Sequence, residues 1–197
     1  MTPKMVLACA LVVAVELSGC ASSPTTNFYT LSTPAAPAQP NVEAVYTVAI
    51  GRVTLPDGID RPQLVVRTGT NQVSIADFER WAGAPKDEIA RAIADNLRQQ
   101  LKDANVFASS QPTGQDADYT VLIDVQRFDS VLGESASVDV LWRVRAAKGH
   151  AQTGRSTVRQ SASGAGYDAV VEALSRALAA VSRDIADGIR VARRASK

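Results

Sequence analysis

Side chains able to do covalent or acid–base chemistry are sparse in this chain, and their spacing limits what they can do. The single histidine among 197 residues, His150, sits in the polar stretch Ala147-Lys148-Gly149-His150-Ala151-Gln152. With no second histidine and no free cysteine beside it, it lacks the partners of a nucleophile–base pair or a metal site; it reads as a loop residue. Asp57, Asp60, Asp77 and Glu79 could gather round a cation, or they serve as turn and helix-approach residues. No Gly-rich phosphate loop and no Ser-centred elbow occurs. The expectation is a protein that is not an enzyme and that holds no metal or diffusible cofactor.

Cys20 is the exception. Lys4 precedes an apolar run, Met5 to Val15, of about eleven residues, against roughly 20 needed to cross a bilayer core; this is the form of a signal peptide. The run ends in Leu17-Ser18-Gly19-Cys20, which resembles the bacterial lipobox. A buried cysteine closing an apolar helix is the other reading, and Glu16 and Gly19 weaken that helix. The lipobox resemblance implies that residues 1–19 are removed and that Cys20 becomes the first mature residue. It would then carry an S-diacylglycerol and an N-acyl chain of palmitate type. Two or more acyl chains hold a protein stably on a bilayer, at about 0.8 kcal/mol per buried CH₂. Ala21 stands where an Asp would resemble the signal for inner-membrane retention, so the expected location is the periplasmic face of the outer membrane.

Charge excludes one class of partner. Lys and Arg number 21 against 20 Asp and Glu, a net charge of +1, which is no electrostatic footprint for nucleic acid. About 180 mature residues suffice for one domain with a real core. Cys9 falls in the leader and Cys20 would bear lipid, leaving no cysteine for a disulfide.

The elements that must position any site follow from hydrophobic rhythm. Residues 20–44, rich in Ala, Pro, Ser and Thr, read as an acylated tether, interrupted by Phe28-Tyr29-Thr30-Leu31 as a short edge strand. A single domain then spans 45–197. Tyr46, Val48 and Ile50 alternate in strand rhythm. Gln63–Phe78 reads as a hairpin about Thr68-Gly69-Thr70-Asn71, expected to pair with that first strand. Ile89, Ile93, Leu97 and Leu101 form a helical stripe, with Asp87, Glu88, Arg91, Asp95, Arg98 and Lys102 on the other faces and Pro85 in the first turn. Tyr119, Val121, Ile123 and Val125, then Val138, Val140, Trp142 and Val144, define two strands with polar opposite faces joined at Gly133-Glu134-Ser135, and Gly154–Ser163 follows as a more polar edge strand. A last helix carries Val170, Val171, Leu174, Leu178, Val181, Ile185 and Ile189 on one stripe. The fold class expected is α+β: a mainly antiparallel sheet with two long helices packed on one face.

Several residues recur in a known order. Tyr29-Thr30-Leu31, Leu55-Pro56, Asp60-Arg61-Pro62-Gln63, Asn71, Arg80-Trp81-Ala82 and Asn96-Leu97 together resemble the pattern of the PqiC-type ABC transport auxiliary lipoproteins, most strongly over 53–97. The resemblance implies a fold similar to the TolB amino-terminal domain and a role in lipid traffic across the envelope. It also implies partners: an MCE-domain protein forming a periplasmic conduit, inner-membrane transporter components, and a homo-oligomeric ring of the lipoprotein itself. The expected function is thus a non-catalytic accessory lipoprotein docking that conduit at the outer membrane, the alternative being an independent periplasmic lipid-binding carrier. Asp60, Arg61, Gln63, Arg80 and Trp81 are the candidate partner interface, since Arg and Trp are over-represented among interface anchors. Equally, Arg61 could pair with Asp60 and Trp81 could pin helix to sheet. Arg190, Arg193, Arg194 and Lys197 read either as a lipid-headgroup patch or as the solvated, cationic end of a helix.

Overall fold

The computed structural model describes residues 24–33, 43–108 and 117–196. The expected leader, Cys20 and the Pro-rich segment 34–42 lie outside these. Among the described residues eight strands and two helices follow in the order β1 (Asn27–Tyr29), β2 (Tyr46–Thr54), β3 (Gln63–Gly69), β4 (Gln72–Trp81), α1 (Pro85–Gln100), β5 (Ala104–Ala108), β6 (Tyr119–Val131), β7 (Ser135–Ala146), β8 (Ala151–Ser161) and α2 (Tyr167–Ala195). The α+β class is as expected: the strands form a five-stranded sheet, β5-β2-β6-β7-β8, and a three-stranded one, β1-β4-β3.

In the larger sheet β6, β7 and β8 are an antiparallel meander. Gly133, at φ 71°, makes the β6–β7 turn, a left-handed conformation that favours glycine. β2 runs parallel to both β5 and β6. With both edges of β2 filled, the β3–β4 hairpin cannot join it, which corrects the expected pairing; the hairpin instead takes β1 alongside β4. β5 was not foreseen, because five residues with only Val106 fully buried carry too little rhythm to read.

Both helices lie on one face of the larger sheet, α2 against β6, β7 and β8 and α1 against β2 and β5. The predicted stripes are the buried ones: Ile89, Ile93 and Leu97 on α1, and Val170, Leu174, Leu178, Val181, Ile185 and Ile189 on α2. Each such side chain removed from water contributes about 1.5–3 kcal/mol. Pro85 opens α1, with Asp87 and Glu88 in the first turn. Among the described residues no helix is long and apolar enough to cross a membrane.

Trp142 sets the fit of α2 on the sheet. A Cβ on Gly154 would stand 2.1 Å from its ring, and one on Gly188 of α2 would stand 2.7 Å away, so two glycines leave the slot the indole fills. Its Nε1–H donates to Ser156 Oγ at 3.1 Å, and the Ser156 hydroxyl donates to Asp184 at 2.5 Å.

Candidate functional site

The N-terminal described segment is held to the domain by a clamp. Leu31 is 1 % exposed, and its N–H donates to Glu88 Oε2 at 3.1 Å while Arg91 donates both to the Leu31 carbonyl at 3.0 Å and to Glu88 at 2.6 Å. The Ser32 N–H donates to Ser175 Oγ at 3.1 Å, tying the segment to α2 as well. Glu88, expected on the wet face of its helix, is therefore buried, because it is the acceptor for a buried backbone donor. Tyr29 donates its hydroxyl to Glu79 at 2.5 Å; burial and that carboxylate push its pKa up to about 12. The Tyr29-Thr30-Leu31 motif thus marks where the chain is gripped.

The residues singled out from the sequence separate around the small sheet. Asp60 pairs with Lys86 of α1 at 2.5 Å, not with Arg61. Arg61, half-buried, has its Nε without a hydrogen-bond partner among the described residues. Trp81 is 7 % exposed and lies against Phe128 of β6, ring centroids 6.2 Å apart; its side chain belongs to the core between the two sheets. Gln63 and Arg80 are register partners, and Phe28 faces Arg80 from β1. Paired residues share a face of a sheet, so these three stand together on the side away from Trp81.

That outer face is apolar. Phe28 is 66 % exposed and Val73 52 %, with Ile75 and Phe78 also open to solvent. A register shift between Gln63 and Val65 re-aims β4, which puts Phe78 and Arg80 on the face that also carries Ile75 and Val73. Sequence reading missed this patch, since Val73, Ile75 and Phe78 look like core residues of a half-buried strand. The available signal was their failure to keep a single period-two rhythm.

The other candidates are dispersed. His150 is an exposed loop residue, and Asp57 and Asp77 are exposed and apart from the Glu79–Tyr29 bond. Among the described residues no group of three or more His, Cys, Asp or Glu could hold a metal. At the far end of α2 the solvated-end reading is corrected for two cations. Arg190 donates to the Gln100 carbonyl at 2.9 Å, and Arg193 pairs with Asp103 at 2.8 Å while lying over the Tyr46 ring at 3.8 Å. Both stitch α2 to the turn after α1; Lys197 lies outside the described residues.

The fold is shared with solved structures. An uncharacterized protein of known structure superposes with a TM-score of 0.71 at 23 % identity, over 84 % of this chain and 99 % of that one. A protein from Xanthomonas campestris superposes with a TM-score of 0.65 at 20 % identity, over 88 % and 100 %. No functionally curated protein matches the chain. The family described as "ABC-type transport auxiliary lipoprotein component" matches residues 29–186, a span that runs from the gripped Tyr29 into the middle of α2. On that match, which covers most of its length, the chain belongs to the ABC-type transport auxiliary lipoprotein family.

Proposed function

We propose that this lipoprotein is held by acyl chains on Cys20 at the periplasmic face of the outer membrane. There it receives the conduit of an MCE-type, ABC-driven lipid transport system on the outer face of the β1-β4-β3 sheet. The observation that carries the docking is the position of the exposed apolar face on β1 and β4, the strands nearest the tether: Phe28, Val73, Ile75 and Phe78 with Gln63 and Arg80 beside them. Exposed apolar patches rimmed by polar residues mark interaction sites. The role is positional and non-catalytic, with cargo lipid handled by the conduit.

The double variant Phe28→Ser, Phe78→Ser tests it. Both side chains are exposed, so the variant is expected to fold and to fractionate with membranes but to lose co-purification of an MCE-domain partner from the native host. Undiminished co-purification would overturn the docking face, and membrane fractionation of Cys20→Ala unchanged from the parent would overturn the anchor.

A further inference from the structure

The face of the large sheet opposite the helices carries a second surface of different chemistry. A groove of about 850 Å³ runs across β2, β6, β7 and β8, with Arg52, Arg143 and Arg145 around Leu122 and Leu141. Register places them together: Leu122 pairs with Arg143, Thr120 with Arg145, and Asp124 with Leu141. Arg143 and Arg145 therefore project on one side about 7 Å apart, and Arg52 stands two strands away, about 10 Å across Leu122.

The charge on this face is unbalanced. Arg155 is neutralised by Asp139, with contacts of 2.9 and 2.5 Å. Asp124, the acid within the groove, accepts from the neutral Thr54 at 2.5 Å and Gln126 at 2.8 Å and keeps its charge, so three arginines against one carboxylate leave the groove net positive. Arg52, Arg143 and Arg145 are exposed and have no hydrogen bond or ion pair among the described residues. Guanidinium groups bind carboxylates and phosphates in a planar, two-pronged fashion, so the complementary ligand is an anion with an apolar part for the leucines. The groove is open, with Leu122 and Leu141 as the apolar side chains that face solvent and Ile123 and Trp142 buried beneath them. A lipid's acyl chains would stay largely wet there, whereas small-molecule sites bury most of their ligand. An extended polypeptide turns every second side chain to one face, so a segment with carboxylates at two successive positions of that face and an apolar residue at the next meets Arg145, Arg143 and Leu141 together.

We infer that this groove docks an extended segment of a partner protein with acidic and apolar side chains on one face, through Arg52, Arg143 and Arg145 around Leu122 and Leu141. It is a surface distinct from the apolar face of the small sheet, and it can be tested without any transporter component. The probe is a fluorescein-labelled peptide with Glu, Glu, Leu and Leu at alternate positions and Ser between them, titrated with the full chain in detergent and followed by anisotropy. Arg52→Gln, Arg143→Gln, Arg145→Gln together are expected to weaken binding by about tenfold or more. A control with the same charge change on exposed cations elsewhere, Lys102→Gln, Arg183→Gln, Arg194→Gln, is expected to keep the parent affinity. No binding to the parent chain, or equal weakening by both triples, overturns the inference. Dihexanoyl phosphatidylglycerol is the competing probe. If it binds in an arginine-dependent way while the peptide does not, the groove is a lipid-headgroup site and the inference is overturned.

Discussion

At the scale of single residues, a tight constraint among the described residues is the absence of side chains at Gly154 and Gly188. Gly154→Ala would put a methyl group 2.1 Å from the Trp142 ring, and neither a buried indole held by Ser156 nor a β-ladder can yield that much. Overpacking of this kind costs about 1–3 kcal/mol, occasionally more; a lowered urea midpoint is expected for Gly154→Ala, partly restored when Trp142→Leu is added. An unchanged midpoint would show that the slot is not filled as described. Asp139 supplies a pH-dependent counterpart. Hydrogen bonds from Arg155 hold its carboxyl below the ordinary range, against the opposing effect of burial, with attraction to Arg155 and a hydrogen bond from Thr157 adding to the lowering. A depressed folded pKa stabilises the native state above the unfolded value, about 3.9, and that stability is lost as pH falls through the folded value. The parent should therefore be more stable than Asp139→Asn near neutrality, with the gap closing in acid; a gap independent of pH would contradict the assignment.

At the scale of elements, the grip on the N-terminal segment joins β1, α1 and α2 through Leu31, Glu88 and Ser175. Replacing Glu88 by Ala leaves the Leu31 N–H buried without its acceptor, at a cost of about 1–3 kcal/mol. The expected readout is local: faster hydrogen exchange and easier proteolysis across 27–32, with β6 and β7 still protected. Loss of protection throughout would mean the clamp is a keystone of the whole core instead. This contact also shows what a sequence discloses and what it withholds. Both helical stripes and the β6–β7–β8 meander were legible because each repeats one period over many residues. Glu88 was misplaced because an acidic residue in a first turn already has a local reason to be there, and nothing local announces a backbone donor 57 positions away. The apolar outer face of β4 was hidden likewise, by a bulge that breaks the rhythm between Ile75 and Phe78. The order of Tyr29, Asp60, Arg80 and their neighbours was enough for the family, yet the geometry scatters them between clamp, ion pair and core.

At the scale of the molecule, the proposed anchor and the proposed docking face are consecutive along the chain. From Cys20 to Phe28 the chain can span no more than about 29 Å, and β1, where it enters the fold, is hydrogen-bonded to β4, the strand bearing Val73, Ile75 and Phe78. If the protein's work is to present that face at a fixed height above the bilayer, the length of the leash is part of the mechanism, although no contact depends on it. An insert of about twenty Gly/Ser residues after Ser23 would add on the order of 25 Å of flexible reach without touching Leu31, Glu88 or either sheet. Such a chain should keep its thermal stability and its membrane fractionation, since the folded body and the lipidation sequence are unaltered. Partner retention in the native host should fall, because a longer flexible leash lowers the effective concentration of one membrane-held surface at the other. Partner retention equal to the parent's would show that the anchor serves localisation alone, with the distance between bilayer and small sheet carrying no function.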